Sequence, residues 1–511
     1  MLLLPLKREL NLRNVITGCF LLTSSLAFGQ TYPTWDEIPY VTTASPNTFK
    51  TLFQSGYTQT IRAVMIGDSQ ETTPGGLGDV YVPRFNYELF KRYGNAPETP
   101  LTGVYASDGG GQPWSDWLVR HSLAGPGPLS SRVSTTDLPP YVAAASCSLT
   151  NGNNIANNEW YGCLTTLQAD AYDTNPNANL NLGYNYFDKN QTVYFDIYSA
   201  TNISSGEIVC KIMSVPTHAP SYYGTFIQSV TLNQGLESPI FDFKKSRVTL
   251  PQISGYPCIE LYGSDPNKLT DIIAVQFISS NPIGCTVTSW SQGGYRCIDY
   301  YGGHPGADRL VSLFNPSVIM INYGANDGGQ GFTPQQFYNN MYTLITTLRS
   351  HIGQVPIILF GDPYRFNSPY ESNLNQYAGV EQSLSYDLPD VCFVNSRRLT
   401  DRVGWNASNY ALFLSDVVHY TPYGAITKAK FEISALFSFL QIGCVADIDN
   451  GSGNGIKDGA IDINDLLYFL NKFASGNLDA DIEDADGSGL PDNGVDINDL
   501  LRFLSAFQNG C

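Results

Sequence analysis

The chain has 511 residues, enough for two or more domains. Charged residues make up only 14% of it and aromatic ones 13%, against about 25% charged in an average soluble domain. That balance fits a β-rich extracellular protein better than a cytosolic enzyme. The net charge of −18 argues against nucleic acid or anionic lipid as a partner.

The N-terminus reads as an export signal over residues 1–29. Lys7, Arg8 and Arg13 precede the apolar stretch VITGCFLLTSSLAFG, which ends in the small-x-small pattern Ala27-Phe28-Gly29. The stretch is too short to span a bilayer, and no other segment is a transmembrane candidate. Ile16-Thr17-Gly18-Cys19 could instead be read as a lipoprotein cleavage box, but the apolar run lies mostly after Cys19. Export leaves nine cysteines in an oxidising compartment, an odd number. Cys444 and Cys511 bracket an acidic tail and are the expected pair.

Continuous apolar runs ended by glycine follow at Ile61–Gly67, Ser317–Gly324 and Val355–Asp362, with a fourth at Val391–Ser396. Such runs fit parallel strands covered on both faces. Helices are expected from Thr333 to Gly353, with proline at the first helical position, and from Thr421 to Leu440. Alternating strands and helices imply a three-layer α/β/α sandwich around a parallel sheet. Residues 117–286 break the pattern with short β-branched and aromatic runs between Asn, Gly and Pro clusters, which predicts an all-β insertion. The expected division is therefore 30–116 and 287–442 for the α/β domain, 117–286 for the insertion, and 444–511 for a small helical tail.

The tail is an internal repeat. Ala446–Gly476 aligns without gaps to Ala480–Gly510 at an offset of 34 residues. Each copy is an Asp/Gly loop followed by an amphipathic helix, with Leu466, Leu470 and Phe473, and their counterparts Leu500, Leu504 and Phe507, expected on the packed face. From Val445 onward there are 13 acidic and 3 basic residues, a net of −10.

Serine-based ester hydrolysis needs a nucleophile, a base, a group that orients the base, and donors for the oxyanion. Gly67-Asp68-Ser69 ends the first strand run. Gly293-Gly294 lies in SQGGYRC. Gly324, Asn326 and Asp327 end another strand run, and Asp416 and His419 are spaced i to i+3. In this order the blocks resemble the SGNH, or GDSL, hydrolase family over residues 60–116 and 287–440. The long insertion departs from the family's minimal pattern.

The resemblance implies that Ser69 is the nucleophile, His419 the base and Asp416 its orienting partner. It also implies an oxyanion hole from the Ser69 N–H, the Gly294 N–H and the Asn326 amide, with Gly293 the alternative to Gly294. Asp68 and Asp327 are read as structural, Asp327 bonding backbone at the strand end. Trp114, Trp117 and Trp290 could stack on sugar rings or belong to the core.

Asp447, Asp449, Asp458, Asp462 and Asp465 recur as Asp481, Glu483, Asp492, Asp496 and Asp499. Clustered carboxylates between glycines suit Ca²⁺, which takes hard oxygen ligands on a bendable loop. They resemble the paired calcium repeats of dockerin-type modules, although the span from Asp447 to Asp465 exceeds the usual loop. The whole reads as a secreted or surface-associated esterase acting on O-acyl groups of a polysaccharide. It needs no catalytic cofactor, and its tail would bind structural Ca²⁺ and a surface or protein partner. A lipase or general carboxylesterase on the same triad, and a non-enzymatic adhesion or scaffold protein, are the alternatives.

Overall fold

The computed structural model describes residues 32–69, 81–94, most of 192–302 and of 313–509, and short segments alone between 97 and 164. The export signal, Cys19, Trp114, Trp117, Asp458 and Cys511 lie outside the described residues.

In chain order the strands are β1 (Val41–Thr43), β2 (Thr60–Gly67), β3 (Thr102–Gly103), β4 (Val119–Ala124), β5 (Cys147–Leu149) and β6 (Glu159–Leu164). There follow β7 (Val193–Thr201), β8 (Glu207–Val215), β9 (Thr225–Asn233), β10 (Asp242–Thr249), β11 (Tyr256–Gly263) and β12 (Thr270–Ser279). The last four are β13 (Gly284–Ser289), β14 (Val318–Asn322), β15 (Ile357–Phe360) and β16 (Val391–Val394). The helices used below are α1 (Pro46–Ser55), α2 (Tyr81–Tyr93), α3 (Ala325–Gly329), α4 (Pro334–Ile352), α5 (Glu371–Asp387), α6 (Pro422–Leu440), α7 (Ile463–Ala474) and α8 (Ile497–Asn509).

Six strands form the central sheet in the order β1-β16-β15-β14-β2-β13. β13, β2, β14, β15 and β16 are mutually parallel, and β1 adds an antiparallel edge. Alternate residues of each strand serve opposite layers. Val64, Ile66, Ile319 and Ile321 pack against α4 and α5 through Phe337, Met341, Leu344 and Leu384. Ala63, Met65, Val318 and Met320 face α1, α2 and α6 through Phe53, Phe85 and Leu436. The chain runs out along β2 to one side (β13) and then crosses to the other (β14), so the topological switch falls between β2 and β14. In open parallel sheets, ligands bind at the carboxyl ends of the strands at that point.

The inserted region is a two-sheet antiparallel sandwich. One sheet runs β10-β7-β12-β3, with β5 also pairing β12, and the other runs β4-β6-β11-β8-β9. Phe195, Ile197, Ile212, Ile259, Leu261 and Phe277 fill it, and Tyr87 and Phe90 of α2 join the same core. The expected limits 117–286 differ from those observed. β3 belongs to the sandwich although it precedes residue 117, and the boundary after Thr286 falls inside β13. Only four residues, Ser280 to Ile283, separate β12 from β13, so the return to the parallel sheet is a short turn like those within the sandwich.

An ion pair fastens sandwich and sheet. Arg62 of β2 donates through Nε at 2.9 Å and Nη2 at 2.9 Å to Glu98, whose side chain is wholly buried. Burial pushes the Glu98 carboxyl up, and the Arg62 guanidinium opposes that shift.

In the tail, Phe469 and Phe503 occupy the same repeat position and stack at 4.1 Å between ring centroids. They are fully buried, whereas Leu470 and Leu504 are 40% and 41% exposed. Leu466, Phe473, Leu500 and Phe507 pack as expected, but Phe469 and Phe503 take the central place expected for Leu470 and Leu504, because the two helices meet through the paired rings. The tail lies against α2 and α6. Lys91 Nζ is 2.8 Å from Asp479, and Asn493 Nδ2 donates to Tyr423 Oη at 2.9 Å. A cavity of about 480 Å³ lies at this junction.

Replacing Arg62 with Met leaves Glu98 buried without its cation. Such a loss costs about 3–5 kcal/mol. Urea unfolding of Arg62→Met should show a destabilisation of that size, most of it recovered in Arg62→Met/Glu98→Leu.

Candidate active site

Three chain segments meet at the carboxyl ends of β2 and β14. Ser69 follows β2 directly, with only Asp68 between it and the strand. β14 ends in Asn322, opposite Gly67 in parallel register. Gly324, at φ 148°, then turns the backbone into α3, a conformation that side chains rarely adopt. That turn delivers Asn326, whose Nδ2 donates to Asp68 Oδ2 at 3.2 Å and to the Tyr295 carbonyl at 3.1 Å. Asp68 is buried, so it serves as an anchor between the two strand ends.

The third segment is the loop before α6. Asp416 Oδ1 accepts the N–H groups of Val418 and His419, each at 2.7 Å, an Asx-type turn. Its other oxygen lies 2.8 Å from His419 Nδ1, and His419 Nε2 lies 3.1 Å from Ser69 Oγ. A carboxylate only accepts, so Nδ1 carries the proton and Nε2 is left to accept from the serine hydroxyl. Burial works against ionised Asp416, but the bonds from the His419 side chain and the two backbone N–H groups hold its pKa below the usual value. The His419 and Asp416 side chains are 44% and 54% exposed, so solvent reaches both.

Gly293 and Gly294 lie in the loop after β13. Gly294 has φ 79° and open space where a Cβ would stand, so the conformation alone calls for glycine. Asp327 anchors this loop. Both its oxygens are 3.3 Å from the Cys297 N–H, and the Cys297 thiol donates at 2.9 Å. Asp327 thus bonds backbone, both its own N–H and that of a residue 30 positions earlier. Burial pushes its carboxyl up to about 6. Trp290 is completely buried in the core beside Phe314 and offers no face for stacking.

Sequence reasoning passed over Asp362 and Arg365, a buried pair just beyond β15. The signal was available, since Asp362 follows its strand much as Asp68 follows β2.

In the tail, Asp447, Asp449, Asp465, Asp481, Glu483 and Asp499 are buried at the two loops. Asp449 accepts the N–H groups of Gly451, Gly453 and Gly455, and Asp465 those of Ile448, Asp449 and Asp462. Asp499 repeats the second pattern with Ile482, Glu483 and Asp496. Asp462 caps α7, accepting from the Asn464 N–H, and Asp496 accepts from the matching Asn498 N–H. Asp492 accepts from Gly494. Among the described residues no group of three or more His, Cys, Asp or Glu side chains is disposed to hold a metal ion. No described helix is long and apolar enough to cross a membrane.

No protein-family model matches the sequence. No curated protein sequence matches it either. Solved structures do resemble it. A peptidoglycan O-acetylesterase superposes with a TM-score of 0.54 at 14% identity, over 79% of this chain and 99% of the other. A family two carbohydrate esterase from Cellvibrio japonicus gives 0.25 at 12% identity, over 64% and 96%. An active-site mutant of a family two carbohydrate esterase from Clostridium thermocellum gives 0.22 at 12%, over 48% and 88%. The first likeness is one of fold; the other two are too slight to carry weight. Residues outside 102–279 make up only about two thirds of the chain, so a match over 79% of it reaches into the inserted sandwich.

Asp327 gives a pH test. Its folded pKa of about 6 exceeds the ordinary carboxyl value near 4. The folded state therefore binds the extra proton, and stability falls as pH rises between about 4 and 6, by roughly 3 kcal/mol for this group. Burial pushes Asp481 to about 6 as well, adding a similar fall. Asp327→Asn should remove about 2 kcal/mol of the fall in unfolding free energy between pH 4.5 and 6.5, as read by urea titration.

Proposed function

We propose that this chain is a secreted serine esterase that removes acyl groups, O-acetyl foremost, from a carbohydrate. The observation that carries the reading is the run of hydrogen-bonding contacts Asp416–His419–Ser69, at 2.8 and 3.1 Å, at the switch point of the sheet. The fold likeness to a peptidoglycan O-acetylesterase supports the substrate class.

On this reading Ser69 Oγ attacks the ester carbonyl carbon while His419 Nε2 takes the hydroxyl proton. The tetrahedral intermediate collapses, and the leaving sugar oxygen receives that proton. Water then repeats the sequence on acyl-Ser69 and releases the acid. Asp416 keeps the imidazole in the required tautomer and stabilises its charged form. Developing charge on the carbonyl oxygen would be met by the N–H groups of Ser69 and Gly294 and by Asn326 Nδ2. The Asn326 amide is already engaged by Asp68 and the Tyr295 carbonyl. A substrate oxygen would take over the place of the Tyr295 carbonyl, so the hydrogen bond is exchanged rather than newly ordered.

The same reading assigns Ca²⁺ to the tail loops and a surface or protein partner to the tail as a whole. In Asp449, Asp465 and Asp499 one oxygen accepts two backbone N–H groups and the other accepts one, so the second oxygen of each keeps a lone pair for a hard cation. Asp447, Asp449 and Asp465, with Asp481, Glu483 and Asp499, would hold it. Asp462 and Asp496 are committed to helix starts.

Ser69→Ala should reduce hydrolysis of 4-nitrophenyl acetate to background, and equal rates in variant and wild type would refute the esterase. Asn326→Ala should lower kcat by about 10²–10³-fold, the usual cost of one oxyanion donor. Acetate release across a panel of acetylated glycans identifies the substrate. Calorimetric titration of the full chain with Ca²⁺ should show binding below millimolar concentration together with a raised Tm; the metal assignment fails if neither is seen.

A further inference from the structure

Arg365 stands behind the His419 loop without touching the imidazole. Its side chain is buried, with only 3% of it exposed. The guanidinium is paired with Asp362, Nη2 reaching Oδ1 and Nε lying 3.3 Å from Oδ2, and its Nη1 donates to the carbonyl of Val418. Val418 immediately precedes His419. On the other side of the histidine, the Tyr420 ring lies under the same guanidinium, 5.4 Å from its carbon. One side chain therefore holds the residues on both sides of His419.

The bonds within the loop do a different job. Asp416 accepts from residues 418 and 419, and Ser415 N–H donates to the His419 carbonyl at 2.8 Å. These fix the shape of the turn but not its distance from the sheet. Beside the packing of Tyr420 on Tyr81 and Trp405, Arg365 ties the loop to the sheet, because Asp362 follows the end of β15 and lies within 3.6 Å of where a Cβ on Gly324 would stand. The pair is a strut between the turn that carries Asn326 and the loop that carries His419. Burial alone would favour loss of the guanidinium charge, but the neighbouring Asp362 outweighs it, so Arg365 keeps its charge.

We propose that Arg365 is a positioning residue for His419, setting the imidazole at hydrogen-bonding distance from Ser69. This inference rests on the esterase reading. Misplacing a base by about an ångström can cost 10²-fold in rate, so the effect should fall on kcat and leave KM alone.

The experiment is a double-mutant comparison on 4-nitrophenyl acetate with the full chain. Arg365→Met should lower kcat 10- to 100-fold with KM within twofold. On a His419→Ala background the same substitution should cost nothing further, since its target is gone. Loss by general loosening of the fold would lower both backgrounds alike. Arg365→Lys, which keeps the buried charge but not the fork, is the second variant if Arg365→Met does not fold, and it too should lose at least tenfold. Wild-type kcat in the folded variants, or losses that multiply on the His419→Ala background, would overturn the positioning role. If His419→Ala itself keeps the wild-type rate, the esterase reading falls, and this inference with it.

Discussion

The parallel pairing of β2 with β14, with Gly67 opposite Asn322, is the constraint on which the candidate site depends. Parallel strands of one sheet finish on the same edge, so the peptide units that follow β2 and β14 must emerge side by side. Ser69 and Asn326 are 257 positions apart, yet the register leaves them little freedom, and the bond from Asn326 Nδ2 to Asp68 closes the gap. The sheet reaches this register because its strands are apolar on both faces. Each needs a helical layer on either side, and a one-residue slip would exchange Val64 and Ile66 with Ala63 and Met65 between layers of different volume.

Around this frame several of the ionic groups in the interior are paired and carry further hydrogen bonds. Lys428 and Glu432 are both fully buried, 2.7 Å apart, and Glu432 also accepts from Tyr81 and Ser396. Asp196 lies between Lys245 and Arg247 in the sandwich. Each such cluster joins elements that hydrophobic contact alone would join with less orientation: α6 to α2 and β16, or β7 to β10. Replacing a buried pair with apolar side chains is often neutral or stabilising, so the value of these clusters lies in geometry rather than in net stability. Asp362 with Arg365 belongs to this class and is the member nearest the candidate chemistry.

The elements that were legible in the sequence are those with one dominant signal. Four apolar runs became β2, β14, β15 and β16, and proline after threonine marked the starts of α4 and α6. The blocks of Ser69 and Asn326 could be read because they follow β2 and β14, and that of Asp416 and His419 because it precedes the Thr-Pro start of α6. What escaped had no local signal. β13, with the sequence GCTVTS, is half polar yet wholly buried, its polarity absorbed by partners such as Glu98 O for Thr286. Three-residue β1 is a strand only because β16 offers an edge. Trp290, placed near the motifs by sequence alone, points into the core because the chain follows the β13 direction one residue further. Of the two partners of Arg365, Asp362 could be read from the sequence, but the carbonyl of Val418 could not, because a carbonyl has no sequence.

The tail shows the same limit from the opposite side. Its two copies match over 31 positions, and the loops keep equivalent bonds, with Asp465 and Asp499 accepting from corresponding N–H groups. Their surroundings differ. Lys457 of the first copy turns back onto its own loop, donating to the carbonyls of Cys444 and Asp447, and burial pulls its pKa down to about 7. The corresponding position in the second copy is Pro491, and that loop meets Lys430 of α6, 3.5 Å from Asp481, and Arg502, 3.6 Å from Glu483. A strongly acidic segment thus meets the rest of the chain where Lys91, Arg92 and Lys430 line the junction cavity. Charge complementarity, absent from either repeat taken alone, explains why the tail packs on this face. Repetition in sequence preserves the loop chemistry, while the asymmetric contact with α2 and α6 makes the two loops unequal.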